Sequence, residues 1–371
     1  MTQNSETRPV PLFRHYPELA EKLPRHVLGS YPTPVARLSN LGHDNLWIKR
    51  DDLTSDIYGG NKVRKLEFIL ADALKRGCRQ IITMGGIGTN HGLATAIFCR
   101  EAGLACRLLL FDQPVNDHVK QNMLLYCKYG AELRYCKGPL KTGASLLVTQ
   151  RLLNPGAYIL EAGGSSPLGT VGFVNAMFEL AEQVRAGLMP EPQYIFCPVG
   201  TSGSMAGLSL GAILAGLSTT ITGVRVTMKS VGPVAVATPE TVRALMKKTL
   251  KLLRKHSRAI PDVPIGSPHI IQDYVGRGYG YATSESSAAL ERVWEKEQIA
   301  LDPTYTAKTF AALLDYIEKP RYRNAPILYW HTCNSTDLAT PLRSVSCRDL
   351  PPALRRIYEG ASAPAIKTKG Q

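Results

Sequence analysis

The stretch Gly59-Gly60-Asn61-Lys62-Val63-Arg64-Lys65-Leu66-Glu67 decides how the rest of the chain is read. Paired glycines let the backbone turn tightly or come close to a ligand. Asn61 is suited to cap a helix that Lys62 opens, with Leu66, Ile69 and Leu70 as its apolar stripe. A lysine in the first helical turn meets the positive end of the helix dipole, which lowers an amine's pKa. A nucleophilic or Schiff-base lysine needs that shift. The plainer reading is a loop entering an ordinary helix with two surface lysines.

On the N-terminal side, residues 45–49 read as a strand, followed by Arg50-Asp51-Asp52-Leu53. Tyr31-Pro32-Thr33-Pro34 is rigid and extended, and the arm up to Leu28 holds a short helix near 17–22. On the C-terminal side the chain alternates. Strands are predicted at 80–84, 105–111, 131–136, 158–160, 194–199, 221–228 and 327–330. Helices are predicted at 92–102, 116–129, 140–153, 170–186, 205–217, 239–257, 284–298 and 307–316. Residues 261–268 read as a connection, and the basic, proline-containing tail after Pro351 is expected to fray at 367–371. Alternating strands and helices imply an α/β protein with parallel sheets covered on both faces.

Composition narrows the function. The 371 residues suffice for two domains, and 44% hydrophobic with 20% charged content marks a folded protein. No apolar run approaches the roughly 20 residues of a membrane span, and the first nine residues hold no signal-peptide core. A cytoplasmic protein with no membrane partner is therefore expected. Net charge is +14, but its densest run, Lys247, Lys248, Lys251, Arg254, Lys255 and Arg258, has the spacing of a solvated helix face. No nucleic-acid motif accompanies it, so no nucleic-acid partner is expected. None of the eight cysteines forms a C-x-x-C pair, so neither a disulfide framework nor a metal site is expected.

Five polar, glycine-rich loops follow apolar strands or open helices, where open α/β sheets bind ligands. The strongest is Gly200-Thr201-Ser202-Gly203-Ser204, whose backbone N–H groups and hydroxyls at a helix N-terminus suit an anion. It matches neither a Walker A loop nor Gly-x-Gly-x-x-Gly. A phosphate cradle in one place and a helix-start lysine in another point to one cofactor, pyridoxal phosphate.

Here the motifs become specific. Lys49 to Leu53 with Gly59 to Glu67 resemble the lysine segment of the 1-aminocyclopropane-1-carboxylate deaminase/D-cysteine desulfhydrase family, within the tryptophan synthase β-like, fold-type II pyridoxal phosphate enzymes. Gly88-Thr89-Asn90-His91 resembles its Ser-Asn-His/Gln loop, and Gly163 to Gly169 its Gly-Gly-Ser-Asn-x-Leu-Gly loop. Gly200 to Gly207 resembles its phosphate cup, and Gly278-Tyr279-Gly280 and Leu301 to Tyr305 its tyrosine segments.

The resemblance implies two open, twisted, mostly parallel sheets with helices on both faces. It also implies a small domain at 60–169 and a large cofactor-binding domain made of 1–59 and 170–371. Lys62 would hold the cofactor as a Schiff base and move protons at the substrate α-carbon. Asn90 would bind the cofactor's 3′-oxygen, Gly200, Thr201, Ser202, Gly203 and Ser204 its phosphate, and Thr332 would lie near its pyridine nitrogen. Thr89, Asn90 and His91 would bind the substrate carboxylate, with Gly164, Tyr279 and Tyr305 also facing the substrate. Tyr305, Tyr279 and Thr89 would join Lys62 in catalysis.

Departures from the family pattern bear on the substrate. Thr89 replaces serine, and its methyl narrows the pocket. Thr306 stands where the deaminases typically have glutamate and looks more like the desulfhydrases. Cys333-Asn334 follow Thr332 where Gly-Gly is usual, Gly92-Leu93 replace a stretch that often carries arginine, and 231–266 looks long.

The expected reaction is α,β-elimination from a small amino acid, with D-cysteine first, giving pyruvate, sulfide and ammonia. The alternatives are 1-aminocyclopropane-1-carboxylate deamination, elimination of another β-substituent, and β-replacement. A different class would be a non-catalytic cofactor-binding or basic nucleic-acid-associated protein. The resemblance also implies a homodimer.

Overall fold

The computed structural model describes residues 10–148, 154, 156–231 and 234–360. Residues 149–153 of the expected helix at 140–153, and the fraying expected at 367–371, lie outside the described residues.

In chain order the strands are β1 (Val35–Arg37), β2 (Leu46–Arg50), β3 (Gln80–Gly86), β4 (Ala105–Phe111), β5 (Glu132–Lys137), β6 (Tyr158–Ile159), β7 (Tyr194–Val199), β8 (Thr220–Arg225), β9 (Ser230–Val231), β10 (Val234–Ala235), β11 (His269–Ile271) and β12 (Ile327–His331). Six form one sheet in the order β1-β2-β12-β7-β8-β11, four form a second in the order β5-β4-β3-β6, and β9 and β10 pair alone. Within the two larger sheets every pairing is parallel except β1 with β2.

Successive strand residues serve opposite faces. Ile195, Cys197 and Val199 of β7 join a core with the helices Pro167–Arg185, Gly203–Ala215 and Pro239–His256. Tyr194 and Phe196 join another with the helices Ser284–Glu297 and Thr306–Ile317. Leu108 and Leu110 of β4 pack with the helices Asn61–Lys75, Asn90–Glu101 and Asp117–Lys128, while Leu109 turns to the opposite face. Burial on both faces explains why these strands read as continuous apolar runs.

Glycines set the closest helix approaches. A Cβ on Gly172 would stand 2.0 Å from the carbonyl oxygen of Arg64, and one on Gly207 2.3 Å from the Phe173 Cβ. Helix Asn61–Lys75 thus lies directly against Pro167–Arg185, which in turn lies against Gly203–Ala215. Gly172→Ala is expected to force the first pair apart and destabilise the chain by about 2–3 kcal/mol, read as a lower urea midpoint.

Several boundaries differ from the sequence reading. β11, at His269–Ile271, begins just after the connection read at 261–268 and had no strand reading; three residues are too few for periodicity to mark. Pro352–Gly360 is a helix although its proline suggested tail; Pro352 fits the first helical position, and Leu354 is buried. Asn61 does not cap its helix: Gly60, at φ 97°, holds that place and Asn61 is the first helical residue. All eight cysteines are free, and among the described residues no helix is long and apolar enough to cross a membrane.

Candidate active site

The lysine segment is pinned between two strand ends. Gly60 N–H donates to Asp51 O at 2.8 Å, and Asn61 N–H to Thr332 O at 3.3 Å. A Cβ on Gly59 would fall 1.9 Å from Asp52 O, so the close approach requires glycine there. Behind it lies a buried ionic cluster. Arg64 donates to Asp51 from Nε at 2.9 Å and to Glu179 from a terminal nitrogen at 2.9 Å. Lys49 donates to Glu179 and to Gln183, each at 2.6 Å, and Trp330 Nε1 to Asp51 at 2.7 Å. Burial works to raise the Glu179 carboxyl, but Arg64 and Lys49 outweigh it and hold it at about 2.

Lys62 has no hydrogen-bond or ion-pair partner among the described residues. Burial lowers its pKa to about 8, against the attraction of Asp302. The lowering expected from sequence is present, and burial leads its causes. Lys65, one helical turn on, is no surface lysine: it is 1% exposed. Its Nζ donates to Gly163 O at 3.0 Å and lies 3.4 Å from Ser165 Oγ, with no carboxylate partner. Burial, then the charge of Lys62, push its pKa well down.

The loop after β7 faces these lysines. Asn61 Nδ2 donates to Ser204 Oγ at 3.2 Å, and Thr201 Oγ1 lies 2.7 Å from Ser165 Oγ. Ser202 adopts left-handed backbone geometry, φ 67°, unusual for serine. Its hydroxyl turns away, donating to Val236 O at 2.7 Å, so Ser202 offers this loop its main chain only. The Gly203 N–H is taken by Thr201 O, while Ser204 in the first turn has no intrahelical acceptor.

Across the cleft, Thr89 rather than Asn90 caps helix Asn90–Glu101, its hydroxyl accepting from Gly92 N–H. A β-branched Oγ so close to its own backbone suits the role. The methyl that threonine adds is received by Gly85 and Gly92, where a Cβ would come within 2.6 Å of it. Thr83 gives its only hydroxyl proton to Leu160 O, so the His91 Nε2 at 3.1 Å must donate to Thr83. The buried His91 Nδ1 has no partner among the described residues, which favours the neutral ring. Burial, then the charges of Lys62 and Lys65, push its pKa well down. Its imidazole has no donor for a carboxylate, and its main-chain N–H remains.

Tyr305 donates to Tyr279 with hydroxyls 2.8 Å apart, and its ring lies 3.2 Å from where Gly200 would carry a Cβ. Burial raises both phenols, keeping them neutral. Tyr279 rides a loop with Gly276, Gly278 and Gly280 all at positive φ. Asp302 is fully engaged: its carboxylate accepts from the N–H groups of Thr304, Tyr305 and Thr306 and from the Thr306 hydroxyl. Asn90, Gln113 and His118 line the cleft opposite Tyr279, Asp302 and Tyr305. Gly164, at φ 64°, is buried beside the Lys65 side chain, and Thr332 lies at the end of β12 beside Gly60.

The pattern of pyridoxal-phosphate dependent enzymes matches residues 27–332. The chain belongs to that family. Within it, a D-cysteine desulfhydrase of Serratia proteamaculans is 31% identical over 323 residues, 84% of this chain and 94% of that protein. A Pyrococcus abyssi protein provisionally named a 1-aminocyclopropane-1-carboxylate deaminase is 33% identical over 325 residues, 85% of this chain and 92% of that one. A crystal structure of an ACC deaminase homologue superposes with TM-score 0.75 at 30% identity, over 91% of this chain and 99% of that one. A crystal structure of a threonine deaminase, at 18% identity and TM-score 0.57, covering 89% of this chain and 98% of its own, shares the fold.

The residues present fit the pyridoxal phosphate of the family. A buried amine without a carboxylate partner among the described residues, Lys65, stands beside a helix N-terminus, a pairing that suits a phosphate. The space is kept open by glycine: a Cβ on Gly203 would lie 2.5 Å from Ser165 Oγ and 2.7 Å from Lys65 Nζ. Gly203→Ala is expected to weaken pyridoxal phosphate binding by about 10–100-fold, measured by equilibrium dialysis, while leaving the fold intact. Sequence reasoning missed Lys65, because lysine periodicity says nothing of burial. It also missed His118 and Gln113, isolated polar residues with no motif around them.

Proposed function

We propose that this enzyme carries out α,β-elimination on a small amino acid, with D-cysteine and water giving pyruvate, sulfide and ammonia. The supporting observation is Thr306. It follows Tyr305 where an acid is typical of the deaminases, and its hydroxyl is spent on Asp302 at 2.7 Å. The site thus joins one unpaired amine, Lys62, to two neutral phenols, with its nearest carboxylate fully occupied.

Bound cofactor would supply the electron sink for the substrate α-carbon. Lys62 would hold the cofactor and carry the α-proton, a task suited to a pKa of about 8. The Gly200 to Ser204 main chain and Lys65 would hold the phosphate, Asn90 the 3′-oxygen, and Thr332 the surroundings of the pyridine nitrogen. The Thr89 hydroxyl and the main-chain N–H groups of Asn90 and His91 would bind the substrate carboxylate. Tyr279, which accepts from Tyr305 and so keeps its own proton free, would deliver that proton to the departing sulfur, with Tyr305 holding it in place and Gly164 flanking the substrate. In this reading 60–169 form a small domain against a larger one from 1–59 and 170–371, in a cytoplasmic homodimer.

The test is to assay sulfide and 2-oxo acids with D-cysteine, L-cysteine and 1-aminocyclopropane-1-carboxylate in turn. Sulfide and pyruvate in equal amounts from D-cysteine are expected. A 2-oxo acid from the cyclopropane amino acid, with none from D-cysteine, would overturn the assignment. The Pyrococcus abyssi relative favours that second reading, and Thr306 opposes it.

A further inference from the structure

We propose that His118 is a positioning residue that sets the orientation of the Asn90 side-chain amide, and thereby presents Asn90 to the cleft as a donor. Gly88 O is a backbone carbonyl and can only accept. The Asn122 Nδ2 that lies 2.9 Å from it must therefore donate. The same nitrogen lies 2.9 Å from Asn90 Oδ1, which takes its second hydrogen. Asn90 is thus fixed with its oxygen toward Asn122. His118 Nε2 lies 2.8 Å from that oxygen and 3.3 Å from the Asn122 nitrogen, which has no hydrogen left to give. Nε2 must carry the proton and donate to Asn90.

Two donors on Oδ1 leave the Asn90 NH2 directed elsewhere, and Asn90 and His118 both line the cleft facing Tyr279 and Tyr305. The geometry is held firmly. Asn122 is 2% exposed, and helix Asp117–Lys128 is docked so closely that a Cβ on Gly88 would lie 2.6 Å from a Val119 methyl. Without His118 the Asn90 oxygen keeps one donor, and its amide flips more readily, placing an acceptor where the cofactor's phenolic oxygen needs a donor. The inference rests on the cofactor reading of Asn90 given above.

The test compares the full chain with His118→Leu and His118→Gln. Glutamine places an amide N–H near the position of Nε2, and leucine places none. Pyridoxal phosphate affinity by equilibrium dialysis is expected to fall about tenfold in His118→Leu and to stay within about twofold of the parent in His118→Gln, with equal unfolding midpoints. Equal affinity in all three would overturn the proposal. The ring tautomer is measured independently in the cofactor-free chain by 15N NMR at about pH 8, where imidazole is neutral. The proton is expected on Nε2, and a proton on Nδ1 would overturn the proposal. If the parent takes up no pyridoxal phosphate, the proposed function fails, and the tautomer alone decides the role of His118.

Discussion

Lys62→Met is expected to lower turnover by at least about ten-thousandfold and to make the cofactor-free chain more stable. The first effect follows from removing an amine that has neither a hydrogen-bond nor an ion-pair partner among the described residues. Steady-state assay measures it, together with loss of the visible band of covalently held cofactor. The second follows from linkage. The folded pKa of about 8 lies below the ordinary 10.5. Between those values the unfolded chain binds more protons, so stability rises with pH through that window. Below pH 8 the ammonium is charged in both states and the folded state bears its full desolvation cost. Methionine of similar length removes that cost, contributing about 2 kcal/mol at pH 7 after discounting for the part of Lys62 still meeting water. Urea unfolding at pH 7 and at pH 10.5 tests both halves: the gain should be present at the lower pH and shrink at the higher. A variant less stable than the parent at pH 7 would show that Lys62 is not strained by burial. The expected gain in stability would mark Lys62 as function held at the expense of stability.

Glu179→Gln should produce the largest loss of stability. Glu179 answers both Arg64 and Lys49, and all three are almost wholly excluded from water, at 2%, 1% and 0% exposure. Removing its charge leaves two buried cations with only Asp51 between them, a change of about 3–5 kcal/mol. The sign with pH is set by the depressed carboxyl. Its contribution is complete above the ordinary 4.5 and is lost as pH falls toward about 2. Guanidinium unfolding from pH 7 down to about pH 3 should show the parent converging on the variant as acid removes what the mutation already removed. Parallel curves would mean that another carboxylate carries the acid sensitivity. Because Arg64 sits one half-turn after Lys62 in the helix Asn61–Lys75, the variant should also hold pyridoxal phosphate less tightly.

Much of this was legible in the sequence. The strands β3, β4, β7 and β12 were marked by apolar runs between glycine-rich loops, because a strand buried on both faces has little polar pattern to confuse. The strand read at 158–160 is β6, whereas β9 and β10 carry two residues each with no run to mark them. The cap read at Asn61 lies one residue earlier, for a reason outside the local pattern: at Gly60 the backbone needs φ 97° to pass Thr332 and Cys333. In the loop after β3, Thr89 caps the helix while the Asn90 side chain is drawn off to His118 and Asn122.

By itself, the sequence determined the fold class and the family, and it placed a lysine at the head of the helix. These rest on residue order and local chemistry, which survive in a one-dimensional string. Only the tertiary structure decided which charges are buried. Arg64 and Lys65 stand beside Lys62 in a run that reads as an exposed basic turn, yet Gly172 lets the neighbouring helix close over them. One finds two carboxylates there and becomes structural. The other finds none and stands beside the helix N-terminus at Gly203. A side chain's solvation depends on what packs over it from distant parts of the chain, and no local spacing carries that information.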